Sequence, residues 1–212
     1  NNNKIWGSAA AADLDNDGLI DFVIATQSNH LLIFDKNGLK VDFDSGQKLM
    51  GTPAIGNLDD DDELEIVFAG YSSNSKIFVI NSDGTEVPGF PYALGEKVKA
   101  GVALADSNGN GKDDIVLGTD DSFIHMIYDD GSEAPGFPYQ VGNRIQIAPS
   151  ILDINGDKVI FSGSGYLGSS GEPDDTLYAI NYDGTNRFKI KANKTIVTSP
   201  SFLSYNENLY IF

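Results

Sequence analysis

Residues 13–21 read DLDNDGLID: four aspartates in nine residues, at loop positions 1, 3, 5 and 9, with Gly18 at position 6. Like charges this close repel one another, so a chain that gathers them needs a counter-charge between them. Calcium takes six to eight oxygens, and carboxylates alternating along a short loop wrap around it, with a backbone carbonyl at position 7. Asp13, Asp15, Asp17 and Asp21 supply the carboxylates and Leu19 the carbonyl, while Gly18 permits the sharp turn. An EF-hand shares the spacing but needs a Glu at position 12 and flanking helices. Position 12 is Ile24, inside the β-branched and aromatic run FVIAT, so this loop joins strands.

The loop is one copy of a repeat. Its first positions are Asp13, Asn57, Asp106, Asp153 and Ser204, at spacings of 44, 49, 47 and 51. Each copy runs from a short strand of small residues through the loop to an apolar strand: FVIAT, IVFAG, IVLGT or VIFSG. A third strand follows (LLIFD, KIFVIN, FIHMIY, TLYAIN), then a turn ending in Asn-Gly or Asp-Gly, a strong hairpin signal. A weaker fourth strand closes the unit, as in LKVDF and RFKIK. No stretch has a helical apolar period. Four antiparallel strands per unit of this length mark an all-β fold, a β-propeller of four-stranded antiparallel blades. β-Helix repeats are shorter, and a sandwich would not repeat so closely. The expected organisation is a single array over 1–212, with blades at 7–50, 51–97, 98–145 and 146–196 and a partial fifth at 197–212. A closed ring of four would leave 197–212 surplus. The start NNNKIW and the stop NLYIF likewise suggest a fragment of a larger propeller.

The loops grade downward along the chain. NLDDDDELE (57–65) offers Asn57, Asp59, Asp61 and Glu65, with the Glu63 carbonyl at position 7 and Asp62 standing where the first loop has glycine. DSNGNGKDD (106–114) offers Asp106, Asn108, Asn110 and Asp114, with the Lys112 carbonyl. Formal ligand charge falls from −4 to −3 to −2, and calcium affinity should fall with it. DINGDK keeps Asp153, Asn155 and Asp157 but has no position-9 acid, and SYNENL has lost the first acid too. Two to three calcium ions are expected, with none in blades four and five.

D-x-D-x-D-G-x-x-D followed by an apolar strand, repeated at blade spacing over essentially the whole chain, resembles the FG-GAP and VCBS-type repeat family, which includes the propeller of integrin α subunits. GTPAIGNLD (51–59) resembles that family's lead into the loop, although no Phe-Gly dipeptide opens the repeats. The resemblance implies that the hairpin loops bind calcium and brace the blade, and that ligands meet other loops.

Composition narrows the partners. With 14 basic and 31 acidic residues, the net charge of −17 disfavours nucleic acid and anionic membrane surfaces. No apolar run reaches membrane-spanning length, so membrane insertion is not expected. The absence of cysteine excludes disulfides, thiolate metal sites and cysteine nucleophiles. GSGYLG (163–168) matches a dinucleotide-binding pattern but lacks the helix that pattern requires. His30 and His125 read as packing or edge residues, and no nucleophile–His–acid constellation is visible. PGFPY occurs at 88–92 and 135–139, placed between the fourth strand and the next blade. It reads as a stiff crossing with Phe90 and Phe137 filling the space between blades, or as an aromatic platform for sugars. Residues 164–176 form a long second-to-third-strand connection on the face opposite the acid loops, either a binding loop or a tolerated insertion. These features suggest a non-catalytic module, secreted or surface-exposed and bacterial, that recognises a protein or glycan. The rivals are the propeller of a secreted polysaccharide lyase or other carbohydrate-active enzyme, and a lectin. Self-association through open propeller ends is a further expectation.

Overall fold

The computed structural model describes residues 4–165, 174–206 and 208–212, and these contain strands and turns but no helix. The first sheet holds β1 (Ala10–Ala12), β2 (Asp21–Ala25), β3 (His30–Asp35) and β4 (Gly38–Asp44). The second holds β5 (Ala54–Gly56), β6 (Glu65–Ala69), β7 (Lys76–Ile80) and β8 (Tyr92–Ala93), and the third β9 (Ala103–Ala105), β10 (Asp114–Gly118), β11 (Phe123–Ile127) and β12 (Tyr139–Gln140). The fourth holds β13 (Ser150–Ile154), β14 (Asp157–Gly163), β15 (Thr176–Asn181) and β16 (Asn186–Lys191). In all four, neighbours in sequence pair antiparallel, and β17 (Phe202–Tyr205) with β18 (Asn208–Ile211) begins a fifth. The architecture is thus a β-propeller of four full blades and part of another.

Strand periodicity places the core between blades. In β2, buried residues alternate with more exposed ones, whereas β6 and β10 are buried throughout, because those blades are covered on both faces. Val23, Leu31 and Ile33 of the first blade meet Ile66, Phe68 and Phe78 of the second. Val67, Ile77 and Val79 then meet Ile115 and Leu117, and Val116 and Ile124 meet Ile160 and Ile180. The last seam packs Val159 and Phe161 against Phe202 and Ile211. The short strands β1, β5, β9 and β13 contact one another in order and so occupy equivalent places along the array.

Two sequence expectations are revised. PGFPY does not follow the fourth strand; it leads into it. Ile80–Glu86 and Ile127–Glu133 each form a single bridge, the chain then turns through Pro-Gly, and only Tyr92–Ala93 and Tyr139–Gln140 pair as strand. The Phe90 amide donates to the Val87 carbonyl and the Phe137 amide to that of Ala134, closing the turns, with Gly89 and Gly136 at positive φ, the arrangement Pro-Gly favours. These turns lock the seams. A Cβ on Gly89 would strike the backbone of Asp130–Gly131 in the next blade, and one on Gly131 would strike Gly89; Gly136 and Gly184 form the same reciprocal pair one seam on. Phe90 is buried and Phe137 packs against the third-to-fourth seam, which favours the seam-filling role over a sugar platform. The second revision concerns Asp62: standing where the first loop has Gly18 at positive φ, it is expected to share that left-handed backbone and does not. Its carbonyl instead accepts a bond from the Asn16 side-chain amide of the preceding loop. Of the 164–176 connection, 166–173 lie outside the described residues, as does the second half of GSGYLG.

Candidate metal centre

Each acid loop joins the first and second strands of a blade, and a common set of local bonds shapes it. The amide at position 7 donates to the side-chain oxygen at position 5: Leu19 to Asp17 (2.9 Å), Glu63 to Asp61 (2.8 Å) and Lys112 to Asn110 (2.8 Å). The position-9 carboxylate accepts the amide at position 2: Asp21 from Leu14 (3.3 Å), Glu65 from Leu58 and Asp114 from Ser107 (2.9 Å). Leu14 and Leu58 bury their side chains in the first and second seams, and so tie the loops to the core.

Carboxylate oxygens of Asp13, Asp15 and Asp17 lie within 4.8 Å of one another, as do those of Asp59, Asp61 and Glu65. Among the described residues, the buried side-chain oxygens without a hydrogen-bond partner include Asp13 Oδ1, Asp15 Oδ1, Asn57 Oδ1 and Glu65 Oε1. Glu65 is fully buried. Burial, with the charges of Asp59 and Asp61 added, pushes its carboxyl up to about 7 against the Leu58 amide, which favours the charged form. Leaving such oxygens buried and unpaired is costly, and a cation between them satisfies them together. The donor set consists only of hard oxygens, the chemistry that suits calcium. The position-7 carbonyls of Leu19 and Glu63 belong to the same two loops.

The third loop differs. Asp106 accepts the amides of Gly109 (2.6 Å) and Gly111 (3.0 Å), and Asn108 accepts that of Asn110 (2.9 Å). Asp114 is buried, accepts from Ser107 through both amide and hydroxyl, and takes the Asp129 amide at 3.2 Å. The acids of this loop are not drawn into a triad like the other two. The fourth loop is a two-residue Asn155-Gly156 hairpin with positive φ at both residues, so Asp153 pairs with Lys158 across the strands and Val159 stands where the other loops carry the position-9 acid.

Sequence reasoning missed the residues that face the loops from neighbouring turns. Lys40 pairs with Asp15 (2.7 Å) and holds its carboxyl below the usual range, while Lys36 reaches Asp17 (3.2 Å). Ser82 donates to Glu63 (3.0 Å), and Asp129 accepts from the Asn110 side chain (3.1 Å). Lys36, Ser82 and Asp129 each hold the second place of the third-to-fourth-strand turn, a signal readable only once the turn is known to fold back on the loop. In blade four that place belongs to Tyr182, whose buried hydroxyl lacks a partner and whose pKa is raised by burial and by Asp114, Asp113 and Asp106. His30 pairs with Asp42 (2.5 Å) and His125 with Glu133 (2.6 Å), each across its own blade.

No family model matches the sequence, and no curated protein matches it. Solved structures do. A protein described as BBS1N, in complex with ARL6DN, matches with a TM-score of 0.64 at 13% identity over 98% of this chain and 60% of that one. The Vibrio cholerae biofilm matrix protein Bap1 matches with a TM-score of 0.63 at 18% identity over 87% of this chain and 28% of its own. BamB from Moraxella catarrhalis matches with 0.63 at 15% identity over 96% and 56%. The chain therefore spans less than two thirds of each of these relatives, and the likeness concerns the propeller fold. No helix among the described residues is long and apolar enough to cross a membrane.

Proposed function

We propose that this chain is a single calcium-braced propeller array over 1–212, of the FG-GAP/VCBS repeat type, that presents its surface to a protein or glycan partner outside the cell. The observation that carries the calcium reading is the set of buried, unpartnered oxygens on Asp13, Asp15, Asn57 and Glu65, converging in two loops of matching shape. Asp13, Asp15, Asp17, Asp21 and the Leu19 carbonyl would hold one ion. Asn57, Asp59, Asp61, Glu65 and the Glu63 carbonyl would hold a second. Asp106, Asn108, Asn110, Asp114 and the Lys112 carbonyl form the weakest set, since two of its four side chains are neutral. Bound calcium supplies fixed positive charge, and the chain's own bonds then keep the strands in register. Millimolar calcium outside cells suits sites of graded affinity and supports the extracellular placement. The likeness to a biofilm matrix protein and to a propeller crystallised with a protein partner supports a recognition role.

A thermal melt in calcium and in chelator tests the brace. At calcium about 100-fold above the dissociation constant, each site adds about 2.7 kcal/mol. For a chain of this size that corresponds to a rise of about 5–10 °C per site. Identical melting temperatures in the two buffers would remove calcium from the account.

A further inference from the structure

The acid loops are not separate objects. From the first to the third, an unbroken series of hydrogen bonds connects them. Within each loop the position-9 acid holds the position-2 amide, as in Asp21 with Leu14, Glu65 with Leu58 and Asp114 with Ser107. Between loops, the Leu14 carbonyl accepts the Leu64 amide (3.0 Å), next to Glu65, and the Asn57 carbonyl accepts the Asp113 amide (2.6 Å), next to Asp114. The row ends at the Asp106 carbonyl, which accepts the Lys158 ammonium at 2.7 Å. Side chains double the crossings: Asn16 donates to the Asp62 carbonyl, and Lys112 pairs with Asp60 at 2.7 Å. At the centre of the row stands Glu65, fully buried with one oxygen unpartnered.

We propose that the three loops bind calcium as one coupled row, so that occupancy of one raises the affinity of its neighbour, and that Lys158 is the built-in cation that terminates the row. This rests on the reading of the loops as calcium sites. An ion in the first loop fixes Leu14 and with it the Leu64 amide, which sets the backbone beside Glu65. The second loop then has less freedom to lose when it binds. Repulsion between neighbouring ions opposes the effect, and the coupling read by titration is the net of the two. At the far end the hairpin is too short to form a loop, and Lys158 supplies a side-chain donor where earlier blades supply a backbone amide.

The test uses the whole chain at physiological ionic strength, with calcium chloride titrated by calorimetry and the protection of 13–21 and 57–65 followed by amide hydrogen exchange. Asp15→Asn disables the first loop and Glu65→Gln the second. Asn16→Gly cuts a crossing while sparing every proposed ligand, and glycine accepts the positive φ of Asn16. Coupling of the usual size makes Asp15→Asn weaken the second loop about 5–150-fold. By reciprocity, Glu65→Gln weakens the first loop by the same factor. Asn16→Gly shrinks that factor with both sites still filling. If each loop keeps its affinity to within about twofold when its neighbour is disabled, the coupling is overturned while the brace stands. No calcium uptake by the unaltered chain overturns the brace itself.

Discussion

At the scale of single residues, Glu65 is the side chain whose chemistry is hardest to explain without a cation. It is fully buried, spends one oxygen on Leu58 and leaves the other without a partner. Glu65→Gln keeps the shape and removes the charge. In calcium it is expected to lose the share of thermal stabilisation that the second loop supplies, and to bind there at least about 100-fold more weakly, more than the loss of an outer-shell partner costs. In chelator it should melt no lower than the parent, because a buried charge has been replaced by a neutral amide. A variant that melts lower in both buffers would make Glu65 a packing residue. Lys158→Met tests the other end of the row. Faster amide exchange in 106–114 is the expected result, and unchanged exchange there would remove Lys158 from the row.

Elements show how far a local pattern can be read. The Asp-Gly turns at 83–85, 130–132 and 183–185 were legible as hairpin turns, and each has its aspartate accepting both the amide and the hydroxyl of the Thr or Ser two residues on. The Thr85 hydroxyl and then its amide hold Asp83 below 3.8, so this contact stabilises above that pH and is lost as pH falls through the lowered value. Thr85→Ala should therefore lower the urea midpoint at pH 7, and the difference from the parent should close in acid below the ordinary aspartate range. A gap that persists there would assign the effect to packing. The first and second acid loops were equally legible as strand-joining turns whose carboxylates converge, because their spacing is local in sequence. The seams were not. That Gly89 faces Gly131, or that Tyr182 leans toward the acids of another blade, depends on the angle between sheets, which no run of residues encodes. Gly131→Ala is expected to cost about 1–3 kcal/mol in a urea melt, since the residue combines positive φ with a close backbone neighbour.

Across the whole molecule, the same strand position has different fates according to what stands beside it. Phe22 and Ile66 hold the same register against their first strands, yet Phe22 is 52% exposed and Ile66 is fully buried. Among the described residues, the second blade has a neighbour on that side and the first does not. Leu203, Tyr205 and Phe212 are exposed at the other end of the array. Self-association through these faces predicts a light-scattering mass that rises with concentration and falls back in Phe22→Asp; a constant mass would rule it out. The paired glycines across the two middle seams also bear on how such an array can be inherited. In those two seams the glycine contact is split between two blades, the Pro-Gly turn of one and the Asp-Gly turn of the next. A third blade copied in place carries both halves, so its duplicate fits on either side of the original. The first blade has no Pro-Gly turn and meets Gly84 with Val41 instead, so a copy of it set beyond the second blade would leave Gly89 facing the wrong turn. Duplication of a whole repeat is therefore expected to disturb the seams less in the middle of this chain than at its beginning.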